Sequence, residues 1–224
     1  MIPLRDEIPT RRIPIVNYML ITANIIVFVL MWLARPYQDA LVYKFAMIPS
    51  NYTNGVDLGD VMDIFTSMFM HAGLLHIGGN MLYLWIFGDN VEDRLGSARY
   101  LMFYLVGGVA ASLLHLLTNP GSQIPTVGAS GAIAAVLGAY LVLYPGSRIV
   151  TYVPLGHFAR LTRMPAIIVL SLWFILQLFD GVAALDGADV GGVAVWAHIG
   201  GFVAGIVIAK FFTPTYRTEN AMNW

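Results

Sequence analysis

Residues 127–144 read Val-Gly-Ala-Ser-Gly-Ala-Ile-Ala-Ala-Val-Leu-Gly-Ala-Tyr-Leu-Val-Leu-Tyr, a run without a charge in which Ser130 stands between Gly128 and Gly131. Apolar residues follow one another here on every side of a helix instead of forming a stripe, so the segment has to be buried all round, in protein or in lipid. Five more runs of this kind lie along the chain: Ile15 to Leu33, Gly73 to Gly88, Ala98 to Leu117, Pro165 to Ala183 and Val193 to Phe212. About 20 such residues cross the roughly 30 Å hydrocarbon layer as a helix. None of the runs alternates with the period of a barrel strand, and backbone groups in lipid must be bonded within their own segment, so helices are expected. Composition agrees, because 58% of the 224 residues are apolar and 11% are charged, far from a soluble domain. The predicted fold class is all-α: a polytopic membrane protein with a six-transmembrane-helix bundle. It forms one domain over 1–224, with an N-terminal segment 1–14, a core 15–212 and a tail 213–224.

Charge orients the bundle. Ten of the twelve Lys and Arg (Arg5, Arg11, Arg12, Arg94, Arg99, Arg148, Arg160, Arg163, Lys210 and Arg217) fall on one side of the six spans, and only Arg35 and Lys44 on the other. The positive-inside rule then puts both termini in the cytoplasm. A net charge of −1 leaves no basic face for nucleic acid, and the absence of cysteine excludes thiolate chemistry and disulfides. The first run ends in Leu33, Ala34, Arg35, Pro36 and not in a small-residue cleavage site, so it reads as a retained span. The first connection mixes turn residues with Met62, Ile64, Phe65, Met68 and Phe69, as suits a segment lying in the outer interface. Pro145 to Met164, with its three arginines, suits the inner headgroup surface.

Polar residues inside the spans carry the chemistry. Ser130 lies about three residues into span four, His198 about five residues into span six, and His76 and Asn80 in the outer half of span two. Four costly side chains from three helices thus reach similar depth near one face, and they are expected to meet. His76 and Asn80, four apart, share a helical face. Gly78 and Gly79, Gly128, Gly131 and Gly138, and Gly200, Gly201 and Gly205 remove bulk around them and let backbones approach. Alone, Ser130 would read as a residue bonded to its own backbone, and His198 as packing glue; joint spacing and depth change the odds. His71 and His76, about 140° apart on a helix, do not form an i, i+4 metal pair, and a His76–His198 zinc site is a minor alternative. No metal or cofactor is expected. His71 is read as bracing the outer loop, His115 and His157 as interfacial, and Asp180 as a residue of a wet gate or of the interface.

Taken together, His71 to Asn80 (histidine, then His-x-x-x-Asn), Gly128 to Gly131 (Gly-x-Ser-Gly), Ala197 to Gly201 with Gly205, and Glu92 with Arg94 resemble the rhomboid intramembrane serine proteases. The resemblance implies a Ser130/His198 dyad, oxyanion stabilisation by His76, Asn80 and the Ser130 N–H, site-shaping by Gly128, Gly131, Gly201 and Gly205, and a structural ion pair of Glu92 with Arg94. It implies membrane-anchored protein substrates, lateral entry beside span five and a site open toward the extracytoplasmic face. Two positions depart from the family pattern. Met62 and Asp63 stand where many rhomboids carry Trp-Arg. Ala134 stands where some carry a tyrosine that stacks under the catalytic histidine, so His198 needs other support. The competing readings are an inactive rhomboid-like protein that captures membrane helices and a small transporter. The oligomeric state is not legible.

Overall fold

The computed structural model describes residues 1–53, 55–155, 158–185 and 194–212. Eight α-helices are found among them: α1 Ile15–Leu33, α2 Gln38–Phe45, α3 Leu58–Ser67, α4 Leu74–Leu95, α5 Ser97–Thr118, α6 Ser130–Leu143, α7 Ala166–Leu185 and α8 Val195–Phe212. Three of them are long and apolar enough to cross a membrane: α1, α5 and the Ala166–Ala184 part of α7. The other three major helices depart from a full-length span for local reasons. α4 has 22 residues but ends in Asp89, Glu92, Asp93 and Arg94. α6 has 14 residues, about 21 Å of rise, because positions 127–128 are not helical. α8 is apolar but shorter.

The all-α expectation needs correcting. Strands β1 Ile2–Asp6, β2 Arg148–Leu155 and β3 Phe158–Pro165 form an antiparallel sheet in the order β1-β2-β3. The segment expected to lie on the headgroups is a hairpin whose free edge is taken by residues from the N-terminal segment. β-Branched and aromatic residues of β2 (Ile149, Val150, Thr151, Tyr152, Val153) favour a strand, and Ile149 and Thr151 are fully buried. The sheet is fastened to the bundle by Asp6, whose carboxylate accepts from Asn90 Nδ2 at 2.6 Å and from the Tyr140 hydroxyl at 2.7 Å. His157, the connection 186–193 and the tail 213–224 with Arg217 lie outside the described residues.

α6 is the centre of the bundle, with every residue from Gly131 to Tyr140 buried. Its neighbours approach through missing side chains. A Cβ on Gly201 would overlap the Gly131 carbonyl oxygen, one on Gly205 the Ala135 carbonyl, and one on Gly138 the Phe202 carbonyl, so α6 and α8 are in backbone contact over two turns. A Cβ on Gly131 would come within 2.7 Å of Ala111 Cβ on α5. In lipid, where the solvent offers no hydrophobic push, such close contact is what holds helices together.

A second knot joins α1, α4 and α5 at the other end of the bundle. Glu92, 2% exposed, accepts from the backbone N–H groups of Val16 (3.1 Å) and Asn17 (2.7 Å) and from the Ser97 hydroxyl. The two N–H bonds come from the first turn of α1, where a carboxylate meets unsatisfied N–H groups and the positive end of the helix dipole, and the third comes from the start of α5. Glu92 therefore acts as a cap for another helix, a role that the expected pairing with Arg94 does not describe. Asn17 itself bridges, donating to the Leu84 carbonyl and accepting from the Tyr100 hydroxyl.

Candidate active site

α6 begins at Ser130 and not three residues before it, a difference of one helical turn from the sequence expectation. Gly128, at φ +132°, turns the chain into the helix in a conformation that side chains avoid. Its N–H is held by the Ser67 carbonyl at the end of α3 (2.9 Å). The first connection thus fixes the approach to Ser130, and it is itself anchored. Asp57 and Asp60 cap α3 reciprocally, while Met47, Ile64 and Met68 form a small buried cluster. The Met68 side chain fills the space that Gly108 leaves on α5.

With Ser130 at the first turn of α6, its hydroxyl meets the imidazole of α8. His198 Nε2 and Ser130 Oγ are 2.8 Å apart. The two expected catalytic groups are within hydrogen-bond reach, on helices that backbone contact prevents from drifting. The other ring nitrogen of His198, Nδ1, is 2.6 Å from Gln177 Oε1 on α7, and the Trp173 ring, one turn earlier on the same helix, lies 5.9 Å from the imidazole. Gln177 and Trp173 escape the sequence reading, which takes span five as apolar and singles out Asp180. Asp180 is exposed. The available signal was an uncharged amide within a span, at the i, i+4 spacing from a tryptophan.

His76 and Asn80 come to the same place from α4. A Cβ on Gly128 would lie 2.7 Å from His76 Nε2 and 3.7 Å from Asn80 Nδ2, so both side chains converge on the residue two before Ser130. Asn80 Nδ2 is buried and has no hydrogen-bond partner. Such a donor is costly unless something accepts from it. His76 Nδ1 accepts from the Ala72 N–H at 3.4 Å, an arrangement that leaves its Nε2 as the protonated donor. His71 is not on the helix of His76, because α4 begins at Leu74 and His71 precedes it, so the angle expected between them on a helix does not hold. The two rings lie edge to face at 5.0 Å. Burial, with the neighbouring His76, lowers His71 to about 4, so it is neutral.

These groups line a cavity of about 930 Å³ that includes Leu75, His76, Asn80, Ser130, Trp173 and His198. His115 belongs to its wall and not to the interface expected for it: it is buried and bonds Thr126 Oγ1 through Nε2 at 3.1 Å and Asn119 through Nδ1 at 3.3 Å. Gly78 and Gly79 do not share in the packing, since a Cβ at either meets nothing within 4 Å. Among the described residues no group of three or more His, Asp or Glu is placed to hold a metal.

Fold and site together define an integral membrane protein that holds a serine and a histidine in contact at a cavity where a few polar side chains converge among apolar walls. The family model of the Rhomboid domain matches residues 58–215, and the chain belongs to the rhomboid family. It is 33% identical over 168 residues to RHOMBOID-like protein 1 of Arabidopsis thaliana, covering 73% of this chain and 38% of that protein. With Rhomboid protease GluP of Bacillus subtilis it shares 31% over 151 residues, 67% of this chain and 26% of the relative. With mitochondrial Rhomboid protein 1 of Saccharomyces cerevisiae it shares 28% over 186 residues, 80% and 52% respectively. The chain therefore spans between about a quarter and a half of the length of these relatives.

Proposed function

We propose that the protein is a serine endopeptidase that cleaves membrane-anchored proteins in or near their transmembrane segments. The observation that carries this reading is the 2.8 Å approach of His198 Nε2 to Ser130 Oγ. Ser130 Oγ attacks a substrate carbonyl while His198 takes its proton and then returns it to the leaving amine. The oxyanion that forms is met by the Ser130 N–H, the His76 Nε2–H and the unspent Asn80 amide; loss of one such donor raises a barrier by about 3 kcal/mol. Gly128, beside His76 and Asn80, leaves the scissile backbone room to reach the hydroxyl, Gly131 lets α5 close on α6, and Gly201 and Gly205 hold α8 against α6.

In this reading α1, α4, α5, α6, α7 and α8 are six spans with both termini cytoplasmic, by the cation distribution, and the cavity opens toward the extracytoplasmic side. Substrate helices have to expose a carbonyl, so cleavage falls near the outer end of a span weakened by glycine or similar residues. No cofactor takes part. A fluorophosphonate probe tests the proposal on protein purified in detergent or reconstituted in vesicles. Labelling of the wild type that vanishes in Ser130→Ala and His198→Ala is the expected result. An unlabelled wild type, folded by thermal melting, would instead support a helix-binding protein without activity.

A further inference from the structure

We infer that Gln177 is a positioning residue for His198, acting as the third member of a Ser130–His198–Gln177 chain in which an amide oxygen takes the place usually given to a carboxylate. The inference deepens the proposed proteolytic reading and rests on it for its meaning. Gln177 Oε1 lies 2.6 Å from His198 Nδ1, on the opposite side of the ring from Ser130 Oγ. An amide oxygen can only accept, so it draws the ring proton to Nδ1 and leaves Nε2 with its lone pair facing the serine hydroxyl, the one tautomer able to take the serine proton. When His198 becomes cationic during attack, the same oxygen stabilises the N–H it already holds, without placing a second charge in the bilayer.

The rest of the surroundings make this bond necessary. Ala134 offers no ring for the imidazole to lie on. Trp173 from α7 flanks the imidazole at 5.9 Å and itself packs on Phe202 at 5.8 Å. Among the described residues, the titratable groups that face His198 from the neighbouring helices are His76 on α4 and His115 on α5, which supply no negative charge to orient it. Among the described residues, the two groups that flank His198 besides Ser130, the amide and the indole, therefore come from α7. That helix carries a line of exposed apolar residues, including Ile168, Leu172, Ile175 and Phe179, so its seating against α8 controls the imidazole.

The test compares Gln177→Leu and Gln177→Glu with wild type in vesicles, using a cleavable transmembrane peptide and ¹⁵N-histidine spectra with His198 assigned through His198→Ala. Leucine matches the apolar character of α7 and preserves the fold, which melting confirms. The expected result is a fall of about tenfold or more in kcat with KM little changed, an acid limb of the pH–rate profile displaced to lower pH because the imidazolium has lost an acceptor, and loss of the Nδ1–H tautomer. Glutamate, which keeps an acceptor oxygen at the same reach, restores most of the rate. If Gln177→Leu keeps the wild-type kcat, pH limb and tautomer while Ser130→Ala is dead, the positioning role is overturned and the protease reading stands. If the wild type is inactive yet its Nδ1–H is present and disappears in Gln177→Leu, the hydrogen bond is upheld and the protease reading falls.

Discussion

A single methyl group at position 201 tests the packing that keeps serine and histidine together. Gly201 follows His198 by three residues on α8, and a Cβ there would overlap the carbonyl oxygen of Gly131, the residue after Ser130, and lie 3.2 Å from Ala134 Cβ. The obstacle is helix backbone, which cannot swing aside as a long side chain does. Gly201→Ala must therefore separate α6 from α8 by on the order of 1 Å to reach ordinary contact distance. Starting from 2.8 Å between His198 Nε2 and Ser130 Oγ, that shift takes the pair to roughly 3.8 Å, outside hydrogen-bond range. A misplacement of this size costs about 100-fold in rate, whereas overpacking a single methyl costs about 1–3 kcal/mol of stability, so the variant should remain folded. The assay is the second-order rate of fluorophosphonate labelling, with melting temperature measured on the same preparation. Gly78→Ala is the control, because its Cβ meets nothing and helix propensity changes by only about 1 kcal/mol in its favour. A folded Gly201→Ala protein that labels at the wild-type rate would refute the claim that glycine contact sets the Ser130–His198 geometry.

Gly128→Ala should nearly abolish labelling and cost about 1–3 kcal/mol of stability, since the new Cβ lies 2.7 Å from His76 Nε2 and occupies a φ of +132°; unchanged labelling in the folded variant would remove His76 from the site. Glu92→Ala should cost about 1–3 kcal/mol in thermal or denaturant unfolding by stripping the acceptor from two N–H groups of α1, and a neutral outcome would deny the cap. The Asp6 carboxyl is raised from 3.8 chiefly by burial, partly offset by its bond from Tyr140, so the fold favours its protonated form. Its contribution to stability is full below the unfolded value and is lost as pH rises through the raised native value. Asp6→Asn cannot ionise and should gain stability relative to wild type as pH rises above the unfolded value of Asp6; a difference in melting temperature that does not vary with pH would contradict this.

Much of this architecture was legible in advance because lipid makes sequence speak plainly. A polar group inside an apolar run has few places to go, so Ser130, His198, His76 and Asn80 could be brought together from depth and spacing alone. What escaped was decided by partners far apart in the chain. Gln177 stands in a run that otherwise reads as lipid-facing, and only the approach of α7 to α8 gives it a task. Glu92 lies beside Arg94 in sequence, but its carboxylate caps a helix that begins more than 70 residues earlier. The helical start at Ser130 depends on Gly128 being held by Ser67, a contact from another loop that no local periodicity encodes. The sheet was hidden in the same way, since five residues before α1 carry no strand signal strong enough to be read without the hairpin they join.

That sheet also orders events during synthesis. Ile2–Asp6 finds its strand partner at Arg148–Leu155, so it must wait, unzipped, until α1, α4, α5 and α6 have been synthesised and the hairpin has emerged. Closing a loop of that length is slow compared with forming any single helix. The N-terminal strand is thus a latch thrown late. Asp6, on reaching Tyr140 and Asn90, registers that α4 and α6 have already found one another.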